Sequence, residues 1–273
     1  MTDVARLAAF TTDPTRGNPA GVVLSAEGLT DAEMQRIAAD VGYSETAFVV
    51  ASSDRRHTVR YFSPMAEVAF CGHATIATAV ALATRDGVGD LVFETRAGEV
   101  PVHTAGADTL VASLVSVPTR TRPATTEELA KALAALGWQE SDLDPAWPPH
   151  VAFAGVEHLI LGVATRSRLA DLSYDFDALK DLMLERGWTT VHLFWPERPD
   201  LVHARDPFPV GGVVEDPATG AAAAAFGGYL RTLGATGRVT VIQGEDMGRR
   251  SELTVDIDAT DPRVTVTGTA TRI

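Results

Sequence analysis

The sequence predicts an α+β protein made of two lobes that share one architecture. Segments of the first half recur 145 residues later, as the pair Arg60 and Arg205 illustrates (205 − 60 = 145). Each half also shows the same order of a strand-like opening, an amphipathic helix, further strands and a helix of small residues. The length of 273 residues accommodates two lobes of about 100–150 residues each. We therefore expect a duplicated fold.

The internal repeat is clearest between RYFSPMAEVAFCGHAT, which starts at Arg60, and RDPFPVGGVVEDPATG, which starts at Arg205. The constant offset pairs Cys71 with Asp216 (216 − 71 = 145). Upstream, the same offset places the helical pattern LTDAEMQRIAADVG on YDFDALKDLMLERG. An offset that holds over more than about 30 residues indicates duplication of a structural unit.

The hydrophobic pattern predicts the elements within each lobe. Met34, Ile37, Ala38 and Val41 have the spacing of three and four that is typical of an amphipathic helix. The helices ATIATAVALAT and TGAAAAAFGGYL are so rich in alanine and glycine that they suit a crowded centre, where backbones approach closely. Runs of β-branched and aromatic residues predict strands. These strands are Ala5–Phe10, Ala47–Ala51, His57–Phe62, Leu91–Thr95, His150–Leu161, Val239–Ile242, Ser251–Ile257 and Arg263–Thr269.

The boundary between the lobes is predicted in SVPTRTRPATTEEL, residues 116–129, whose content of proline, threonine and arginine is typical of a linker. This gives an N-terminal lobe of residues 1–118 and a C-terminal lobe of residues 119–273. Within the same stretch, Thr125-Thr126-Glu127-Glu128 predicts the start of a helix. The segment DPAWPP, residues 144–149, is a second irregular stretch.

The composition limits the classes of partner. A total of 23 Lys+Arg against 36 Asp+Glu gives a formal net charge of −13. This argues against broad binding to nucleic acid or to an anionic membrane, because both need a basic face. A small anionic metabolite needs only a local positive potential. The N-terminal residues lack the pattern of a secretory signal, and the most apolar stretches are far shorter than a membrane span. We expect a cytoplasmic protein without a membrane partner.

Two segments that precede the small-residue helices are candidates for an anion site. They are Cys71-Gly72-His73 and Asp216-Pro217-Ala218-Thr219-Gly220. The first turn of a helix presents unpaired backbone N–H groups and a positive partial charge, which attract carboxylates and phosphates. If the lobes face each other, two such helix ends converge on the cleft. The alternative is that both are ordinary helix starts, with Asp216 as a cap.

Glu45, in the stretch GYSETAF, is the candidate acid/base. The equivalent position of the second half holds Thr190 (190 − 45 = 145), so this carboxylate is not duplicated. A carboxylate held in a pocket can accept and return a proton. A glutamate at the start of a strand is, in contrast, ordinarily a solvated surface charge. The residues by themselves leave both interpretations open.

Other chemistries have less support. Cys71 and His73 suggest a nucleophile and its base, but no third orienting group is evident. The seven histidines show no ligand spacing, and the single cysteine excludes an intrachain disulfide and a multi-cysteine zinc site. We therefore expect no metal. No glycine-rich nucleotide fingerprint follows a strand. Arg60 and Arg205 recur at equivalent positions, which favours a structural role.

Five stretches of the sequence carry a resemblance to a known family. They are FTTDPTRGNPAGVVL (10–24), MQRIAADVGYSETAFV (34–49), RYFSPMAEVAFCGHATIATA (60–79), VEDPATGAAAA (214–224) and QGEDMGR (243–249). Through them the chain resembles the PhzF-like phenazine-biosynthesis isomerases over nearly its whole length. The resemblance implies the diaminopimelate-epimerase fold, in which two pseudo-symmetric lobes, each a mostly antiparallel sheet or barrel around a central small-residue helix, enclose the active site. It also implies a homodimer.

The resemblance further implies the roles of individual residues. The prototype of the family isomerises trans-2,3-dihydro-3-hydroxyanthranilate without a cofactor, and the glutamate of the SETAF motif, here Glu45, would move the proton. The polar partners lining the site would be Ser44, His73 and Asp216. The backbone donors to the substrate carboxylate would be Gly72, Thr219 and Gly220.

The sequence departs from the family pattern at two places. Ala221 follows Gly220 where the family often has serine, which removes a hydroxyl contact and affects the choice of substrate, and Pro207 replaces an aromatic residue.

Two alternative functions stay open. One is epimerisation at an amino-acid α-carbon, against which the absence of a second cysteine counts. The other is a non-catalytic member of the fold that binds a metabolite or a protein.

Overall fold

The computed structural model describes residues 2–273, which form two compact units. The first unit comprises residues 2–115 together with Thr267–Ile273, and the second comprises Ser116–Val266. The predicted lobes, 1–118 and 119–273, differ from these units by three residues at the boundary and also at the C-terminus. The last residues return to the first unit because they pair with its first strand, with Leu7 opposite Arg272. The internal repeat carries no information about this pairing.

The first unit contains a closed barrel of eight strands. The strands pair in the order β1, β2, β3, β4, β6, β7, β8 and the part of β17 from Thr267 onward, which pairs back with β1. The pairs β2–β3 and β4–β6 are parallel, and the other pairs with a described register are antiparallel. The elements are β1 (Ala5–Ala9), β2 (Asn18–Val23), α1 (Asp31–Val41), β3 (Glu45–Ser53), β4 (Arg56–Phe62), β5 (Glu67–Val68), α2 (Gly72–Asp86), β6 (Gly89–Thr95), β7 (Gly98–Ala105), β8 (Val111–Val115) and β17 (Val264–Arg272).

Helix α2 is the central element of this unit. It packs against β1, β2, β3, β7 and β8, and ten of its fifteen residues are buried. Most of these ten are alanine, threonine or valine, so strands can approach the helix from several sides. The outer helix α1 packs its buried Met34 and Ala38 on a separate cluster with Phe48 and Phe62. The sequence predicted both the crowded helix and the amphipathic one.

The second unit contains a series of seven paired strands, the short strand β14 and four α-helices. Its strands pair in the order β9, β10, β11, β12, β13, β15 and β16, with β11–β12 and β13–β15 parallel. The short strand β14 pairs with the end of β13. The elements are β9 (Arg120–Pro123), α3 (Thr126–Leu136), β10 (His150–Phe153), β11 (Glu157–Gly162), α4 (Arg166–Ala170), α5 (Phe176–Arg186), β12 (Trp188–Arg198), β13 (Leu201–Pro207), β14 (Glu215–Asp216), α6 (Gly220–Thr232), β15 (Gly237–Gln243) and β16 (Ser251–Ile257).

The central helix of the second unit is α6, which packs against β9, β10, β11, β12 and β16. The packing is close at Gly228, where an added Cβ would lie 2.5 Å from Thr119 Oγ1. The glycine therefore removes the side chain that would separate the helix from its neighbour. Among the helices of residues 2–273, none combines the length and the apolar character that a membrane crossing requires.

The two units share one topology, which confirms the predicted duplication. In each, the strand pairs run antiparallel, parallel, antiparallel, parallel and antiparallel, from β1 to β7 in the first unit and from β10 to β16 in the second. Helices α1 and α5 have eleven residues each and keep the offset of 145 (176 − 31 = 186 − 41 = 145). Both end at a left-handed glycine, Gly42 and Gly187, with φ of 72°.

The offset changes before the central helices, and this corrects one predicted equivalence. Between β4 and β5 there are four residues, whereas seven residues separate β13 from β14 (66 − 62 = 4; 214 − 207 = 7). Beyond this insertion the offset is 148, as the first helical residues show (220 − 72 = 148). The structural counterpart of Cys71 is therefore Thr219, not Asp216, and each is the N-cap of its helix.

The segment predicted as a linker, 116–129, contains regular secondary structure over 120–123 and 126–129. It contains β9, which pairs with β10 (Arg122 opposite Val151), and the beginning of α3. The helix start was predicted: Thr125 is the N-cap and forms a reciprocal capping box with Glu128. The segment 144–149 contains no helix or strand, as predicted.

The duplicated arginines have the structural role that the repeat suggested. Arg60 forms two parallel hydrogen bonds to the carboxylate of Glu67, at 2.8 and 2.7 Å. Arg205 does the same with Glu215, at 3.0 and 2.6 Å. Because Glu67 and Glu215 lie just before α2 and α6, each pair fixes the chain where it enters its central helix. Such two-pronged pairs are among the strong hydrogen bonds of proteins.

We predict that Glu128 stabilises the second unit in a pH-dependent way. Two hydrogen bonds from Arg122, and further ones from Thr125, lower the pKa of Glu128 to about 2 against the opposing effect of burial. A lowered pKa in the folded state means that the stabilisation is complete above about pH 4.5 and is lost as the pH falls towards 2. Glu128→Gln should therefore reduce the free energy of unfolding at pH 7 by about 1–2 kcal/mol, since Arg122 is half exposed and solvent weakens the pair.

Urea unfolding of both proteins at pH 7 and at pH 3 measures this difference, which should shrink at pH 3. The matched control is Glu33→Gln, because Glu33 closes the same capping box at α1 without an arginine partner. Its effect should be smaller. An equal loss in the two variants would show that the capping box, not the arginine, accounts for the stabilisation.

Candidate active site

Glu45 is the first residue of β3, directly after the turn that follows α1. The parallel pairing of β2 and β3 places it opposite Ala20. Its side chain is 16% exposed, and its neighbours along the strand, Thr46 to Val49, are buried. Glu45 is therefore a mostly buried carboxylate that retains an opening to solvent. The interpretation as a solvated surface charge is wrong.

Three other polar side chains surround this carboxylate within the first unit. Cys71 Sγ donates to Glu45 Oε2 at 3.4 Å, and His73 Nε2 lies 3.5 Å from the same oxygen. Ser44 Oγ is 3.3 Å from His73 Nε2, and Cys71 Sγ is 3.3 Å from His73 Nδ1. The structure thus brings together Ser44, Glu45 and His73, which the sequence predicted, and adds Cys71 to them.

Helix α2 positions two of these side chains. Cys71 is its N-cap residue, and His73 lies in its first turn. The cap is fixed from the core, because Thr75 Oγ1 donates to the Cys71 carbonyl at 2.7 Å and lies 2.7 Å from the hydroxyl of the fully buried Tyr61. The first turn of α2 also presents its backbone N–H groups, among them that of Gly72, in the same region.

His73 is set up as a neutral imidazole. Burial lowers its pKa below the usual 6.5, and the nearby Glu45 carboxylate and a hydrogen bond to the backbone of Pro19 only partly offset this effect. The bond to Pro19 goes to its carbonyl, because proline has no backbone N–H. The ring nitrogen that makes this bond carries the proton, which leaves the other nitrogen of the neutral imidazole as an acceptor.

Glu45 differs from the other buried glutamates in its partners. Glu67, Glu128 and Glu215 each pair with an arginine. Within residues 2–273, no arginine or lysine forms an ion pair with Glu45. A carboxylate that is neutralised by an arginine serves a structural purpose, whereas one that faces a thiol and a neutral imidazole can still exchange a proton.

In the second unit, Asp216, Thr219 and Gly220 lie together at the start of α6. The Thr219 hydroxyl donates to Asp216 Oδ2 at 2.7 Å. Gln243, which is fully buried, holds this segment with three hydrogen bonds: its Nε2 donates to the Asp216 carbonyl at 2.8 Å and to Thr219 Oγ1 at 3.0 Å, and its Oε1 accepts from the Thr219 N–H at 3.0 Å. Gln243 was not among the residues predicted from the sequence, although its place at the head of the family motif QGEDMGR was a signal that could have revealed it.

These contacts correct two expectations. The backbone N–H of Thr219 is engaged by Gln243, so it is not an open donor for a substrate carboxylate. Asp216 is not the helix cap, because the N-cap residue of α6 is Thr219. Gly220 is buried as the first helical residue, and Asp216 is partly exposed.

The second unit has no counterpart of Glu45. The equivalent residue Thr190 is fully buried, lies 2.8 Å from His158 Nδ1 and donates to Asp206 Oδ1 at 3.3 Å. His192 Nδ1 contacts the same carboxylate at 3.0 Å. At the position equivalent to Glu45, the second unit therefore has a fully buried cluster of polar residues. Since Cys71 corresponds to Thr219, the chain also lacks a second thiol for a two-cysteine epimerisation.

The structure also shows which residues could hold a metal ion. The ligand atoms of Glu45, Cys71 and His73 all lie within 4.8 Å of one another. The histidine spacing gave no sign of this group, because its members come from a strand and from a separate helix.

Comparison with known proteins identifies the family of this chain. The sequence profile of the PhzC–PhzF family, described as "Phenazine biosynthesis-like protein", matches residues 7–273. A relative from Deinococcus radiodurans, an uncharacterized isomerase, is 35% identical over 97% of this chain and 89% of its own. The trans-2,3-dihydro-3-hydroxyanthranilate isomerase of Pseudomonas aeruginosa is 31% identical over 94% of this chain and 90% of its own.

Solved structures agree with this result. The Bacillus anthracis phenazine biosynthesis protein of the PhzF family superimposes with a TM-score of 0.87 and 28% identity, covering 99% of this chain and 96% of its own. A probable proline racemase from Agrobacterium radiobacter shares the fold with a TM-score of 0.66 at 14% identity, covering 99% and 90%. These findings confirm the predicted fold class. The chain belongs to the PhzC–PhzF family and is an isomerase.

We predict that Gln243→Met destabilises the start of α6. The substitution keeps the volume of the side chain but leaves the Thr219 N–H and the Asp216 carbonyl without their partner in a buried place. The free energy of unfolding should fall by about 1–3 kcal/mol, and the Thr219 amide should exchange faster with deuterium.

The control for this variant is Gln35→Met. Gln35 Nε2 makes one hydrogen bond, at 2.8 Å, to the partly exposed Ser63 carbonyl, which water can satisfy instead. Denaturant unfolding and amide exchange measure both variants. The same loss of stability in both would contradict the special role of Gln243.

Proposed function

We propose that this isomerase moves a proton within a small carboxylate-bearing, cyclic metabolite without a cofactor, and that Glu45 is its general acid/base. The observation that carries the proposal is the environment of Glu45: a carboxylate 16% exposed, bordered by Cys71 and His73, and without the arginine partner that every comparable buried glutamate has. A carboxylate in this setting can take a proton from a carbon acid and return it to another position.

The start of α2 supports the choice of an anionic substrate. The N–H groups of its first turn, with that of Gly72 among them, favour a negatively charged group through hydrogen bonding and the helix dipole. This attraction requires no lysine or arginine, which fits a chain of net charge −13. When the carboxylate of the substrate binds there, the fixed dipoles also stabilise the negative charge that develops in the transition state. The C–H group next to that carboxylate therefore loses its proton more readily.

The neighbours of Glu45 have supporting roles in this proposal. Ser44 and His73 hydrogen-bond to each other and hold the imidazole beside the carboxylate. We further propose that Asp216 and Gly220 contribute to substrate binding, with Thr219 orienting Asp216 through its hydroxyl. A first candidate substrate is trans-2,3-dihydro-3-hydroxyanthranilate, the compound named for the relative from Pseudomonas aeruginosa.

We predict that Glu45→Gln abolishes proton transfer while the fold is retained. Wild type and variant are incubated with trans-2,3-dihydro-3-hydroxyanthranilate in deuterated buffer and followed by NMR. Glutamine keeps the size of the side chain but cannot accept the proton, so turnover and deuterium uptake should fall by at least about 100-fold.

The matched control is Glu94→Gln, because Glu94 is an exposed glutamate of β6 in the same unit, paired with Arg56. Its activity should equal that of the wild type. Equal turnover by wild type and Glu45→Gln would remove Glu45 from the mechanism. If the wild type does not react, the same assay is repeated on a panel of small cyclic and amino carboxylates. Deuterium uptake into none of them would contradict the proposed proton transfer.

A further inference from the structure

The cluster at the start of α2 contains three different metal-binding groups: one thiol, one imidazole and one carboxylate. Cys71 Sγ and Glu45 Oε2 are 3.4 Å apart, Glu45 Oε2 and His73 Nε2 are 3.5 Å apart, and Cys71 Sγ and His73 Nε2 are 3.8 Å apart. All three side chains are mostly buried. The proton transfer proposed above uses only one of them.

These separations match the edges of a zinc coordination tetrahedron. Zinc binds sulfur at about 2.3 Å, and nitrogen and oxygen at about 2.0–2.2 Å. At tetrahedral angles such bonds place sulfur and nitrogen, or sulfur and oxygen, about 3.6 Å apart, and nitrogen and oxygen about 3.4 Å apart. Each observed distance agrees with the corresponding edge to within about 0.2 Å. Because Cys71 Sγ lies closer to His73 Nδ1, at 3.3 Å, than to Nε2, at 3.8 Å, the thiol must rotate away from the imidazole ring before it can share an ion bound at Nε2.

The surroundings of His73 are also those of a metal ligand. Histidine ligands commonly donate their second ring N–H to a carbonyl or carboxylate, which fixes the ring and leaves the other nitrogen for the metal. His73 makes such a bond to the Pro19 carbonyl. Cys71 is held by the hydrogen bond from Thr75 to its carbonyl. The fold thus holds the His73 ring and the backbone of Cys71 in place before any ion binds.

We propose that Glu45, Cys71 and His73 bind one Zn²⁺ ion, with the fourth position of the ion open to solvent. The thiol of Cys71 loses its proton to solvent on binding, and the sulfur, the imidazole nitrogen and a carboxylate oxygen each form one bond to the ion. A thiolate, an imidazole and a carboxylate together favour zinc over magnesium or calcium, which prefer oxygen ligands alone.

The binding of zinc and proton transfer by Glu45 exclude each other, because the ion occupies the carboxylate oxygen that would accept the proton. Zinc is therefore an inhibitor of the isomerase. This consequence rests on the proposed function, whereas the binding of the ion does not.

The first test measures metal binding by the intact chain without substrate. Zn²⁺ is titrated into the protein in competition with a chromophoric chelator, and Co²⁺ is added to a second sample to observe a thiolate-to-cobalt charge-transfer band. One equivalent of Zn²⁺ should bind, and the cobalt band can arise only from Cys71, the single cysteine of the chain. Cys71→Ser should abolish the band. Cys71→Ser and Glu45→Gln should each weaken zinc binding. The loss should exceed the roughly 10–100-fold that is typical when a ligand only loses its hydrogen-bond partner, because each variant removes a ligand itself.

The control is His203→Gln, because His203 is a competing surface position flanked by the carboxylates of Glu197 and Glu245. Zinc binding should be unchanged in this variant. Serine is a favourable N-cap residue, so Cys71→Ser should fold, and its thermal unfolding verifies this. Equal zinc affinity of Cys71→Ser and wild type, no cobalt band in the wild type, or loss of binding in His203→Gln would each overturn the proposal.

The second test adds Zn²⁺ to the deuterium-exchange assay. One equivalent should stop exchange by the wild type, and a chelator should restore it. A wild type that binds zinc but never exchanges deuterium leaves the metal site standing and refutes the proposed function. A wild type that exchanges deuterium but binds no zinc refutes the metal site alone.

Discussion

The burial of α2 inside a closed barrel is the constraint on which the candidate site depends. Strands enclose the helix on several sides, so its length and rotation are fixed by packing rather than by the helix itself. The hydrogen bond that Thr75 donates to the Cys71 carbonyl, and the one that Thr75 accepts from the Tyr61 hydroxyl, then fix where the helix begins. Because Glu45 starts a strand of the same barrel, the distances among Glu45, Cys71 and His73 follow from the core of one unit.

The carboxylates of the chain show how the fold separates structure from chemistry. Glu67 and Glu215 pair with arginines and fix the approach to the two central helices. Glu45 has a thiol and a neutral imidazole as neighbours instead. An arginine would hold a carboxylate in its charged form and satisfy its oxygens, which suits a structural role. The same residue type therefore serves two purposes, and its partners decide which.

The two units have diverged at the positions that matter for chemistry while their strand order stayed the same. Thr190 stands where the first unit has Glu45, and it joins a buried cluster with His158 and Asp206. Thr219 stands where the first unit has Cys71, and its hydroxyl donates to the carboxylate of Asp216. The proton chemistry and the metal-binding group proposed for this protein thus both lie in the first unit.

The sequence by itself determined the local elements and the duplication. Helical spacing predicted α1, capping residues predicted the start of α3, and the constant offset predicted a repeated topology. These features depend on residues close in the chain or on a pattern copied as a whole. It did not reveal the return of β17 to the first unit, the three-residue shift that makes Thr219 the partner of Cys71, or the contact of Cys71 with Glu45. Only the tertiary structure decided these, because they depend on strand register and on the depth of a helix in its barrel.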